Sequence, residues 1–173
     1  SNVTTNGGYI YIGGGTDPFG NNTGAVGNST NTAGISLTST LLNAGGGNIW
    51  LNGTGYAGTA NNYGIIAQTT SGISTSGNGT VTLIGTGGAG TTTNNDGITI
   101  LGGSTIASQA GAINITGVGG AAGTTGTNGV VLSGTNTTNV TSTSGAINIT
   151  GTGWGNSTDN FGVYVTGTNA VVS

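Results

Sequence analysis

Lysine, arginine, histidine, cysteine and methionine are all missing from this sequence, proline occurs once, and the only acidic residues are Asp17, Asp96 and Asp159. Each absence excludes something. Without a basic residue there is nothing to neutralise a phosphate backbone, so no nucleic-acid partner is expected. The same lack removes the polybasic patch that docks on an anionic membrane surface. No apolar run approaches the roughly 20 residues of a membrane-spanning helix, so membrane insertion is not expected either. Disulfides and thiol chemistry are excluded. The chain also lacks a signal peptide and an initiator Met, and reads as a mature product or an excised segment. A surface without Lys or Arg offers no trypsin-type cleavage site, which suits an extracellular or cell-surface location.

Catalysis meets the same obstacle. A hydrolase needs a general acid and base or an activated nucleophile, and here no His, Cys or Lys exists. Asp96 and Asp159 fall in different loops two repeats apart, roughly 10 Å or more by strand spacing. Calcium-binding solenoids carry an Asp in every turn; three scattered aspartates do not form that series, and Asp159 or Asp17 is the least poor candidate ligand. The segment Gly85–Gly90 looks like a phosphate cradle but lacks the required Lys and helix. The expectation is a non-enzyme with no cofactor and no metal. The sequons at Asn52, Asn114 and Asn148 follow from composition.

What is present is 40 glycines among Ser, Thr and Asn. Such a composition suggests disorder, but disordered chains combine low hydrophobicity with high net charge, and here the net charge is only -3. Aliphatic residues also recur in phase. One set of pairs runs Ile10/Ile12, Ile49/Leu51, Val81/Leu83, Ile113/Ile115 and Ile147/Ile149. A second follows Gly34, Gly64, Gly97, Gly129 and Gly162, as Ile35/Leu37, Ile65/Ala67, Ile98/Ile100, Val130/Leu132 and Val163/Val165. A third is a lone aliphatic: Val3, Leu42, Ile73, Ile106, Val140, and Val171 or Val172.

Each pair alternates apolar and polar, the pattern of a strand, and no helical periodicity is sustained. Three short strands of three to five residues recurring every 33 residues or so fit an all-β parallel β-solenoid (β-helix). Five coils are expected, over 8–46, 47–78, 79–110, 111–144 and 145–173, with 1–7 the tail of a preceding coil. At the spacing of hydrogen-bonded strands they make a rod roughly 24 Å long. Between first and second strands lie excursions at Asn52–Tyr63, Ile84–Asp96, Thr116–Asn128 and Thr150–Phe161, and a longer one at Gly13–Ala33 holding Pro18. Asn-x-Gly or Asn-Gly precedes the second strand. Both residue types accept positive φ at a corner, and Asn can also bond the Asn stacked above it.

The motifs Gly-Ala-Ile-Asn-Ile-Thr-Gly-x-Gly and Asn-x-Gly-Val-x-Val resemble the β-helical repeats of filamentous haemagglutinin-like exoproteins and giant bacterial surface adhesins. The resemblance implies secretion across a bacterial envelope, a right-handed parallel β-helix and a fibrous stalk or adhesin. The amino-terminal secretion domain of such exoproteins is absent from this sequence.

Two kinds of contact are therefore expected. For end-to-end continuation of the solenoid, with itself as partner, the candidates are Val3, Ile10, Ile12, Val163, Val165 and Val171, because uncapped strand edges invite pairing. For the flank, Tyr9, Tyr11, Trp50, Trp154 and Tyr164 form a set of outward aromatics, with Tyr56, Tyr63 and Phe161 in loops. These either cover the core edge beneath the loops, or meet a neighbouring filament, or stack on cell-surface glycans. An ice-binding face would need a regular Thr-x-Thr array. The outward columns Tyr11/Trp50/Thr82/Asn114/Asn148 and Ser36/Ile66/Thr99/Val131/Tyr164 are not one.

Overall fold

The computed structural model describes residues 1–14, 23–122, 125–134, 136–155 and 158–173; Asp17 and Pro18 lie outside them. Among the described residues the regular structure is entirely strand. In chain order these are β1 (Asn2–Thr4), β2 (Ile10–Ile12), β3 (Ala25–Val26), β4 (Ile35–Thr38), β5 (Leu41–Asn43), β6 (Ile49–Thr54), β7 (Ile65–Gln68), β8 (Gly72–Ser74) and β9 (Val81–Thr86). They continue as β10 (Ile98–Leu101), β11 (Thr105–Ser108), β12 (Ile113–Val118), β13 (Val130–Ser133), β14 (Thr138–Ser142), β15 (Ile147–Thr152), β16 (Val163–Thr166) and β17 (Ala170–Val172).

The strands form three parallel sheets. The first runs β2-β6-β9-β12-β15, the second β4-β7-β10-β13-β16, and the third β1-β5-β8-β11-β14-β17. Apart from β2 and β3, which both pair with β6, chain neighbours lie in different sheets, and sheet neighbours are about one coil of 33 residues apart. This is a parallel β-solenoid. The repeats align without a slip: Ile10, Ile49, Val81, Ile113 and Ile147 share a row, as do Ile35, Ile65, Ile98, Val130 and Val163. In the third sheet Val140 pairs with Val172, which settles the inward column on Val172, while Val171 lies opposite Asn139. Five inward aliphatic columns fill the interior, and in the central coils almost every member is buried. A one-residue slip would turn each column to solvent, so burial itself holds the register.

First-sheet strands are longer than the aliphatic pattern suggests. β6, β9, β12 and β15 each run six residues, through Gly53-Thr54, Gly85-Thr86, Gly117-Val118 and Gly151-Thr152. In the first coil the strand breaks after Ile12 and resumes at Ala25–Val26, which pair with Gly53 and Thr54. The added length in this copy therefore interrupts the strand itself rather than following it.

The glycine-rich excursions are ordered by backbone contact. A Cβ on Gly53, Gly85 or Gly117 would lie 2.2, 2.2 or 2.0 Å from the carbonyl oxygen of Gly64, Gly97 or Gly129. Two residues on, a Cβ on Gly55, Gly87 or Gly119 would meet the carbonyl of Asn62, Asn95 or Thr127 at 2.1, 1.9 or 2.3 Å. The end of each first strand thus lies directly on the approach to the second, with no room for side chains between them. The next coil joins on through a ladder in which the N–H groups of Tyr56, Gly88, Gly120 and Trp154 donate to the carbonyls of Thr32, Asn62, Asn95 and Thr127 at 2.7–3.0 Å.

This corrects the reading of the Asn-x-Gly corners. Gly64, Gly97 and Gly129 serve close approach, not positive φ. Positive φ falls three residues earlier, on Asn61, Asn94, Gly126 and Asp159, at 59–63°. Because Gly129 aligns with Gly97 and Gly162, the residue in the Asn62/Asn95/Asn160 row is Thr127, and Asn128 shares a row with Tyr63, Asp96 and Phe161.

Gly117→Ala should cost about 3 kcal/mol or more, at or above the upper end of overpacking penalties, because the clashing atoms are backbone. Thr116→Ala, one residue away and exposed, should stay within about 0.5 kcal/mol of the parent. Denaturant unfolding of the pair checks this.

Candidate functional site

The corner rows of polar residues come first, since they position everything outside them. Asn62 and Asn95 are fully buried. The Asn62 amide donates to Asn95 Oδ1 at 2.7 Å, and the Asn95 amide donates to the carbonyls of Gly90 and Thr92 at 3.3 and 3.1 Å. The hydroxyl and N–H of Thr127 donate to Asn160 Oδ1 at 2.8 and 3.0 Å. Hydrogen bonds between row neighbours thus meet most of the needs of these buried polar groups, while Asn62 Oδ1 is buried without a partner. On the outside of the first sheet the Asn148 amide donates to Asn114 Oδ1 at 2.9 Å in the same manner.

One row further out, Tyr63, Asp96, Asn128 and Phe161 form the wall of a groove on the outer side of the second sheet. The groove has a volume of about 490 Å³ and is floored by Thr99, Leu101, Val131 and Ser133, with Asn94, Gly126, Asp159 and Tyr164 at its edges. Ile66, Thr99 and Val131 point out of the coil yet are buried, because the row before the second strand rises beside them. A second recess of about 400 Å³, which includes Ser36, Asn61, Ile66 and Gln68, meets the first at Tyr63.

The two aspartates in the groove do different work. Asp96 is buried, and its oxygens are occupied: the Thr99 hydroxyl donates to one at 2.9 Å, and the Asn128 N–H and side-chain amide donate to the other at 2.8 and 3.0 Å. Burial pushes its carboxyl above the ordinary value, with these three bonds pulling partly back. Asp159 is exposed, held at the groove edge by its left-handed backbone. Burial and then the nearby Asp96 charge push the Tyr63 hydroxyl up to about 12. Among the described residues no cluster of three Asp, Glu, His or Cys is placed to hold a metal ion.

The expected aromatic set divides in two. Tyr9 meets Tyr11 edge-on at 5.9 Å, and Tyr11 lies 6.3 Å from Trp50 at a 45° tilt, all on the outer side of the first sheet. Tyr164 instead belongs to the second sheet, stacked on Phe161 at 4.9 Å and 16°. Trp154 is exposed on an excursion, anchored through its N–H to Thr127. Among the residues expected at the rod ends, Val3, Val163, Val165 and Val171 are exposed, whereas Ile10 is only 5% exposed and Ile12 packs against the core. The groove residues Asp96, Asp159 and Phe161 were not legible as a set. The available signal was the row alignment, hidden by the substitution of Thr127 for Asn.

The fold and its surface define a parallel β-solenoid repeat protein. The chain matches no family model, no curated protein and no solved structure.

Two pH effects follow. Unfolding releases Asp96 to its ordinary, lower pKa, so the unfolded chain loses this proton first as pH rises. Asp96 therefore makes stability decline from the ordinary carboxylate range up to its raised folded value, and Asp96→Asn should abolish that decline. Tyr63, raised from 10.0 to about 12, should make stability fall between those pH values, an effect lost in Tyr63→Phe. Denaturant midpoints against pH for parent and variants measure both.

Proposed function

We propose that this chain is a non-catalytic structural element, an extracellular fibre or adhesin stalk built by continuation of the solenoid along its axis. The observation that carries the reading is the unbroken register of three parallel sheets, in which each coil is a complete template for the next. In the last rung of those sheets the inward-column residues Val163, Val165 and Val172 are 41%, 49% and 45% exposed, where their counterparts Val130, Leu132 and Val140 are fully buried. A further coil, from the same chain or from another copy, would cover them and pair with β15, β16 and β17. Apolar area of this kind, beside unpaired strand edges, favours association.

The likeness of the repeats to filamentous haemagglutinin-like exoproteins and bacterial surface adhesins supports the same role and a secreted, cell-surface setting. So does a surface with no basic side chain and net charge -3, which leaves hydrogen bonding and apolar contact as the means of association.

Sedimentation and negative-stain microscopy test the reading. The chain should form rods that lengthen with concentration, and Val165→Asp should shift them to single units by placing a charge where the next coil would sit. Single rods at every concentration would overturn axial assembly.

A further inference from the structure

Beyond the axial contact, the groove on the outer side of the second sheet has the chemistry of a ligand site. We infer that it binds an uncharged oligosaccharide. Its volume of about 490 Å³ lies within the range of small-molecule sites, which are concave, partly apolar and supplied with a few convergent polar groups. The groove runs along the coil axis from Tyr63 to Phe161 and Tyr164. Three strand spacings separate those rows, about 14 Å, which suits a short linear chain better than a single compact ligand.

The ends are aromatic. Phe161 and Tyr164 stack on each other at 4.9 Å and are both exposed, so the pair is a rigid platform with ring surface left uncovered. The apolar C–H face of a pyranose ring fits such a surface. The polar groups left to a ligand are mainly acceptors or hydroxyls: the exposed Asp159 carboxylate, the Ser133 hydroxyl and the Asn94 carbonyl oxygen. One N–H of the Asn94 amide is taken by Asn61 Oδ1 at 3.1 Å, and both Asp96 oxygens already accept from Thr99 and Asn128. Acceptors at a groove edge suit sugar hydroxyls, which donate.

Charge decides the class of sugar. The groove contains two aspartates and the whole chain has no Lys, Arg or His. A sulfated, sialylated or uronic saccharide would meet a carboxylate with no cation to offset it, and like charges brought together in a partly desolvated site are costly. Neutral saccharides incur no such penalty.

The groove ends on the rung that offers the axial contact, since Tyr164 lies between Val163 and Val165 on β16, so axial assembly is read separately, by sedimentation. A printed array of neutral, sialylated and sulfated oligosaccharides, probed with the whole chain, tests the groove. Calorimetry on the best-bound neutral oligosaccharide then compares the parent with Tyr164→Ala, Asp159→Asn and Tyr9→Ala. Neutral saccharides should bind; Tyr164→Ala should weaken them about tenfold or more, Asp159→Asn should weaken them too, and Tyr9→Ala, outside the groove, should not. Thermal melting establishes that each variant folds, and the exposed Asp159→Asn carries the test if Tyr164→Ala does not. Binding only to acidic glycans, no binding, or neutral binding untouched by the groove variants would overturn the inference. Loss of rod association in Tyr164→Ala without glycan binding would also overturn it, by making the groove a contact between rods.

Discussion

The structure depends on backbone meeting backbone along the coil axis. Strand hydrogen bonds join each coil to the next in all three sheets. The ladder from Tyr56, Gly88, Gly120 and Trp154 to Thr32, Asn62, Asn95 and Thr127 continues the same bonding through the excursions. Such contact satisfies the N–H and C=O groups that a chain poor in side-chain bulk leaves near its surface. It also demands glycine, since any Cβ at Gly85 or Gly117 would fall far inside van der Waals contact with a carbonyl oxygen. The glycine content, ordinarily a mark of disorder, is here the condition for close stacking.

Stacking equivalent residues in rows also explains the scarcity of charge. Like charges repeated at the 4.8 Å strand spacing repel by about 1 kcal/mol per neighbouring pair even in water, and by more near a protein surface. Asn, Ser and Thr carry both donors and acceptors and can instead bond their own kind, as the Asn62 amide donates to Asn95 and the Asn148 amide to Asn114. Where a carboxylate does occur within a buried row, at Asp96, the stacked neighbours are Tyr63 and Asn128, and Asn128 donates twice to it. The row tolerates one charge because it does not repeat it.

These two constraints leave specificity to the outside of the coil. Inward columns are committed to aliphatic packing and corners to amide ladders. The outer sides of the first and second sheets hold two separate aromatic clusters, Tyr9, Tyr11 and Trp50 on the first and Phe161 and Tyr164 on the second. The second-sheet cluster lies in a concavity, because the row of Tyr63, Asp96, Asn128 and Phe161 rises beside the floor residues Thr99 and Val131. On the proposed reading, axial extension and a groove on one flank would keep mechanical and recognition duties apart.

By itself the sequence determined the five aliphatic columns in their three sets, the coil length and the parallel solenoid, because an alternating pattern repeated in phase has few other ways to bury its apolar faces. It also specified which side chains of Tyr11, Trp50, Thr82, Asn114 and Asn148 share an outer column. Only the tertiary structure decided that the first-coil insertion splits a strand at Ile12, that Thr127 rather than Asn128 continues the Asn row, and that Asp96, Asp159, Phe161 and Tyr164 border one groove. The division has a physical cause. Strand periodicity is written locally in residue type, whereas row alignment in the loops is set by hydrogen bonds to the neighbouring coil, some 33 residues away along the chain.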